Sequence, residues 1–140
     1  MPNWQWAKSH GSTAAENISG LAVNSIGESY ACGYYFSSNF TLGTTTLTNN
    51  GNYDSYVAKF DVNGNPLWAK SFGGGFDDNA TAIAIDASGN SYVVGNFISS
   101  IMVCGTTTLT NSAFGDMFII KLDVNGNFVW AKNFGDGGNT

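Results

Sequence analysis

WQWAKSHG at Trp4–Gly11, LWAKSFGG at Leu67–Gly74 and VWAKNFGD at Val129–Asp136 are three renderings of one phrase. Their tryptophans Trp6, Trp68 and Trp130 stand 62 residues apart (68 − 6 and 130 − 68). Repetition at a fixed period constrains architecture first, because each repeat buries its apolar face only against a neighbour. A shift of 62 residues aligns the chain on itself without a gap, so loops are copied along with strands. GTTTLTN at Gly43–Asn49 returns at Gly105–Asn111, and DVNGN at Asp61–Asn65 returns at Asp123–Asn127.

Each unit carries four strand signals. A short first strand of small apolar residues, Leu21-Ala22-Val23 or Ile83-Ala84-Ile85, runs into a turn with Asn or Asp at its start and Gly three residues on. That is hairpin chemistry. The second strand, Ser29–Phe36 or Ser91–Ile98, is rich in Tyr, Val and Phe. A Thr-rich excursion follows, predicted to be extended and partly paired. The third strand has apolar residues on both faces (Tyr56, Ala58 and Phe60 beside Val57; Phe118, Ile120 and Leu122 beside Ile119). Such a strand belongs to a sheet covered on both sides. DVNGN turns the chain into the fourth strand, which carries Trp-Ala-Lys.

Four antiparallel strands per unit, sandwiched by the next unit, describe β-propeller blades. The small first strand suits a crowded axis and the aromatic fourth strand a roomier perimeter. A β-solenoid is the rival, but its strands are parallel, whereas these turns make hairpins. The boundaries predicted are a surplus outer strand at 1–10, blade 1 at 11–72, blade 2 at 73–134 and a tail at 135–140.

Composition excludes several function classes. The 140 residues include ten Phe, six Tyr and four Trp but no Arg, and the net charge is −5. A nucleic-acid binder needs a clustered basic surface, and the five Lys are spread over two repeat slots (Lys8, Lys70 and Lys132; Lys59 and Lys121). No apolar run approaches a bilayer-spanning length, and no basic start with an apolar stretch marks a signal peptide. Composition points outside the cell. Cys32 and Cys104 fall in different repeat slots otherwise held by Val94 and Leu42, which predicts two buried thiols.

The run from Phe72-Gly-Gly-Gly-Phe-Asp-Asp-Asn-Ala through Ala84-Ile-Asp-Ala-Ser-Gly-Asn-Ser-Tyr-Val-Val-Gly to Ile120-Lys-Leu-Asp-Val-Asn-Gly-Asn-Phe-Val-Trp-Ala-Lys resembles the bacterial SBBP-type β-propeller repeat. The resemblance covers essentially the whole chain. It implies blades of exported or surface proteins, often in long tandem arrays, and carries no catalytic residues with it.

Propellers close with roughly four to eight blades, and two blades alone leave apolar outer faces. The chain is therefore predicted to be part of a longer array or to assemble from copies, closing into a ring or running on as a filament. The first three strands occur twice but the Trp-Ala-Lys strand three times, so one terminal strand is free to complete a neighbour's blade. Trp4, Trp6, Trp130 and Phe134 are the candidate self-assembly residues.

Chemistry finds little purchase. His10 is the one histidine and shares its slot with Phe72 and Phe134, so no nucleophile–base pair can be drawn. DVNGN lacks the glycine and acidic ligand that a calcium loop needs at its sixth and twelfth positions, and Asp77-Asp78 faces Ala15-Glu16 in the other copy. No metal, cofactor or catalytic residue is predicted. Sequons at Asn17, Asn39 and Asn79 mark glycosylation candidates. The reading is a non-enzymatic extracellular module whose partners are copies of itself, with a carbohydrate-binding propeller using exposed aromatics as the alternative.

Overall fold

The computed structural model describes residues 1–135; the stretch 136–140, most of the predicted tail, lies outside the described residues. Twelve strands and no helix occur among the described residues. In the first unit β1 (Glu16–Val23), β2 (Ser29–Tyr35), β5 (Asp54–Phe60) and β6 (Pro66–Phe72) form an antiparallel sheet in the order β1-β2-β5-β6. The hairpin β3 (Asn39–Leu42) and β4 (Thr45–Thr48) leaves it between β2 and β5. The second unit repeats this with β7 (Asp78–Ile85), β8 (Ser91–Phe97), β11 (Asp116–Leu122) and β12 (Phe128–Phe134), plus the hairpin β9 (Ile101–Cys104) and β10 (Thr107–Thr110). The all-β prediction holds, and each four-stranded sheet is one blade.

Even the irregularities are copied. The inner strand bulges between Ile18 and Gly20 in blade 1 and between Ala80 and Ala82 in blade 2. Every blade turn is wired alike. At DVNGN, Asp61 Oδ1 accepts the amides of Asn63 and Asn65, both at 2.9 Å, and Asp123 repeats the pattern. The glycine that follows, Gly64 or Gly126, takes a φ of 78° or 81° that few other residues adopt. These bonds hold the Asp61 carboxyl below its ordinary range, the Asn65 amide contributing most. The oxygens a cation would want are engaged by the turn.

The Thr run is a true hairpin, and period two explains it. Phe40, Leu42 and Leu47 point inward to join Tyr35, Tyr56, Ala58 and Ala69, while Thr41 and Thr46 face solvent with hydroxyls 2.9 Å apart. A larger cluster spans both blades: Cys32, Val57 and Phe72 of blade 1 complete the core of blade 2 around Val93, Phe97 and Ile120. Both cysteines are buried and unbridged, as their slots predict. Residues 1–15 form no strand; the predicted surplus strand lies on blade 1 without joining a sheet.

Asp54 and Asp116 share a slot at the start of the third strand but differ in their partners. Burial raises Asp116, yet bonds from Ser112 and Asn133 outweigh it and hold it low. Asp54 is fully buried with Oδ1 unpartnered, and burial pushes it up to about 6. A carboxyl raised on folding contributes stability below its unfolded value and loses it as pH rises through the folded one. Asp54→Asn is therefore expected to melt higher than the parent at neutral pH. Relative to the variant, the parent's melting temperature should fall between about pH 4 and about pH 6, measured by circular dichroism.

Candidate interaction surface

The joint between the blades is built from the repeated phrase. Trp68, on the outer strand β6, reaches across to blade 2 and donates its indole N–H to the Val124 carbonyl at 3.1 Å. Its ring lies flat over Gly126, where an added Cβ would come within 2.6 Å. Phe72, six residues before the next inner strand, packs edge-on against Phe118 and Phe128 with centroids 5.6 and 6.1 Å apart. Toward the inner strands Gly20 faces the backbone of Ala82 and Ile83, where an added Cβ would come within 3.1 and 3.2 Å, a crowded fit that favours glycine. The joint thus has a small-residue inner end and an aromatic outer end.

The same joint recurs at the start of the chain. Trp6 donates to the Val62 carbonyl at 2.9 Å and lies over Gly64, as Trp68 does over Gly126. Downstream the match continues bond by bond. The Ala14 amide donates to Ser37 Oγ as Phe76 does to Ser99. Phe36 N–H meets the Ala15 carbonyl as Ile98 N–H meets that of Asp77. Glu16 holds the Ser12 amide and Ser37 hydroxyl, and Asp78 holds the Gly74 amide and Ser99 hydroxyl. Residues 1–15 therefore follow the path that β6 and its linker follow on blade 2. His10, in the slot of Phe72, stands 5.8 Å from the Phe60 ring.

Positions 62 residues apart expose the two free faces. Ala80 is fully buried under blade 1, while its counterpart Ile18 is 66% exposed, and Leu21 beside it is open too. On the far side of blade 2, Phe134 is 57% exposed where Phe72 is 2%. Met117 is open where Ser55 is buried, and Val94 where Cys32 is buried. One face of each blade is therefore an uncovered copy of a surface that the chain itself covers once.

The sequence candidates divide. Trp6 is seated within the chain, half-exposed with its N–H engaged; Trp4 is almost wholly exposed. Trp130 packs against Tyr92 with centroids 6.3 Å apart, and Phe134 lies on the free face. Asn17 and Asn39 are exposed, whereas the Asn79 side-chain oxygen is buried. Sequence reasoning missed Ile18, Leu21, Val94 and Met117, although pairing slots across the period would have flagged them. Between the blade ends a cleft of about 480 Å³ is lined by Val23, Ile26, Tyr30, Ile85, Asp86 and Val124. At its edge Lys59 Nζ meets Glu28 at 2.9 Å and sits over the Tyr30 ring. Burial lifts the Cys32 and Cys104 thiols to about 11 and about 12, so neither is a ready nucleophile. No set of three side chains able to hold a metal comes together among the described residues.

No protein-family model matches the chain. Among curated proteins it is similar to an uncharacterized WD repeat-containing protein of Acanthamoeba polyphaga mimivirus, with 33% identity over 96 residues. The match takes in 64% of this chain but only 7% of that protein. A repeat protein as relative agrees with the two-blade architecture and supports a propeller-like repeat fold.

The two ends of the phrase should respond differently to truncation. Phe72→Ala empties a buried slot and is expected to cost about 3–5 kcal/mol. Phe134→Ala in dilute protein should stay within about 0.5 kcal/mol of the parent. Urea unfolding of both variants checks this.

Proposed function

We propose that the chain is a non-catalytic structural module that works outside the cell by associating head to tail with copies of itself through its blade faces. One observation carries this: Ile18, Val94, Met117 and Phe134, exposed on the two outer faces, are the repeat counterparts of Ala80, Cys32, Ser55 and Phe72, buried where blade 1 meets blade 2. The two free faces occupy the slots of the pair that meets within the chain, with apolar Ile18, Met117 and Val94 in place of Ala80, Ser55 and Cys32, and on another copy each face meets its repeat partner. Burial of apolar area drives the contact, against the translational and ordering costs of association. Because the joined faces differ, the contact is heterologous and gives a ring where its rotation closes, a filament where it does not. The extracellular assignment draws on the acidic, arginine-free composition and on the resemblance to SBBP-type repeats.

A complementation experiment tests the geometry. Leu21→Lys blocks the free face of blade 1, and Met117→Lys that of blade 2. Each variant alone should sediment as a monomer, and an equimolar mixture should give a heterodimer joined through the two intact faces. Electron micrographs of the parent should show rings or fibres. A parent that stays monomeric at about 100 μM, which would put any dissociation constant above the micromolar range, sinks the proposal. So does a lysine variant that associates like the parent.

A further inference from the structure

We infer that residues 1–15 act as a built-in strap that occupies, on blade 1, the seat that the outer strand β12 of a second copy takes when two chains join. This rests on the self-association proposed above and assigns its control. The seat is defined by bonds on both sides of the comparison. Trp6 uses the Val62 carbonyl and Gly64 as Trp68 uses the Val124 carbonyl and Gly126. The linkers that follow make the same contacts to Ser37 and Ser99. One seat cannot hold two indoles, so a second copy's Trp130 enters only when Trp6 leaves.

The strap fits less well than the strand it imitates. Within the chain the seat on blade 2 receives Phe72, which fills the space against Phe118 and Phe128. On blade 1 the corresponding slot holds His10, and a cavity of about 240 Å³ remains among His10, Ile18, Phe40, Leu42, Tyr56 and Phe60. A second gap of about 140 Å³ lies between Trp6 and the inner residues Leu21 and Ala31. Lining atoms without partners forfeit dispersion contacts, so an incoming strand bearing phenylalanine gains what the strap lacks. The phrase VWAKNF at Val129–Phe134 has that residue, exposed and in register with Trp130. The strap also stops short of the inner part of the face, since Ile18 and Leu21 stay open. A second copy's blade 2 can therefore make first contact there through Val94 and Met117 before β12 displaces the strap.

Two point variants of the full chain, measured by sedimentation over a concentration series, pull in opposite directions. Trp6→Ala weakens the strap and is expected to tighten self-association at least tenfold. His10→Phe fills the cavity and is expected to weaken it at least tenfold. Hydrogen exchange gives a second readout: the Ser12 and Ala14 amides, bonded in the monomer, should lose protection on association in the parent. Unchanged association in both variants overturns the strap while leaving the face contact standing, provided Met117→Lys still abolishes it. Association that falls in Trp6→Ala, with melting unchanged, means that the segment serves another copy, and overturns the strap as well. Association that survives Met117→Lys overturns the face reading and this one together.

Discussion

The structure depends on a sheet that is apolar on both faces. Each third strand carries core residues to either side, so Val57 and Ala58 are both fully buried although they point in opposite directions. A sheet of that kind has no face it can turn to water and must be stacked. Stacking in turn dictates the small residues at the inner end, where Gly20 meets Ala82 and Ile83, and the aromatics at the outer end, where Trp68 and Phe72 fill a wider gap. The period of the sequence is the period of the stack. Where the stack stops, the same residues become an exposed apolar surface.

Much of this was legible because repetition removes ambiguity that a single copy leaves. The hairpin turns, the four sheet strands per unit and the burial of Cys32 and Cys104 follow from local chemistry written twice, whereas the Thr run reads only as extended and partly paired, not as a hairpin with one face inward. What local chemistry could not give was context. Gln5–Ser9 and Leu67–Ser71 share the same phrase, yet only the second is a paired strand. A strand exists by virtue of its neighbour's backbone, and no strand among the described residues pairs with Gln5–Ser9. The candidate site was half legible for the same reason. Trp6, Trp130 and Phe134 stood out by type, but the exposure of Met117 and Val94 depends on which face has a neighbour, and nothing in their own surroundings encodes that.

Slots where the copies disagree are the informative ones. Glu28 becomes Asn90, so Lys59 has a carboxylate at 2.9 Å while Lys121 keeps only its place over the Tyr92 ring. The Glu28–Lys59 pair sits at the mouth of the cleft between the blades, where Lys59 is nearly buried and needs the charge beside it. The hydrogen bond from Lys59 holds the Glu28 carboxyl low. Asp54 shows the converse. It keeps the carboxylate of Asp116, but Asn50 and Ser71 stand where Ser112 and Asn133 do; Asn50 donates to Oδ2 alone, and the folded state bears an unpartnered Oδ1. A shared slot fixes the backbone, and the neighbours decide the electrostatics.

The asymmetry of the stack also limits how copies can meet. Two copies joined by like faces would set Ile18 and Leu21 of one against the same residues of the other, with no glycine–alanine contact to bring the inner strands close. The Trp68 indole needs a turn of the Val124 kind, and within blade 1 the indole and the turn serve opposite neighbours: Trp68 donates to blade 2, while the Val62 turn accepts from Trp6. Only a head-to-tail arrangement presents donor to acceptor and small residue to small residue at once. Were copies to repeat the joint between the two blades of one chain, the angle of that joint would decide closure. A fold built by repeating one joint therefore carries the geometry of any larger assembly inside a single chain.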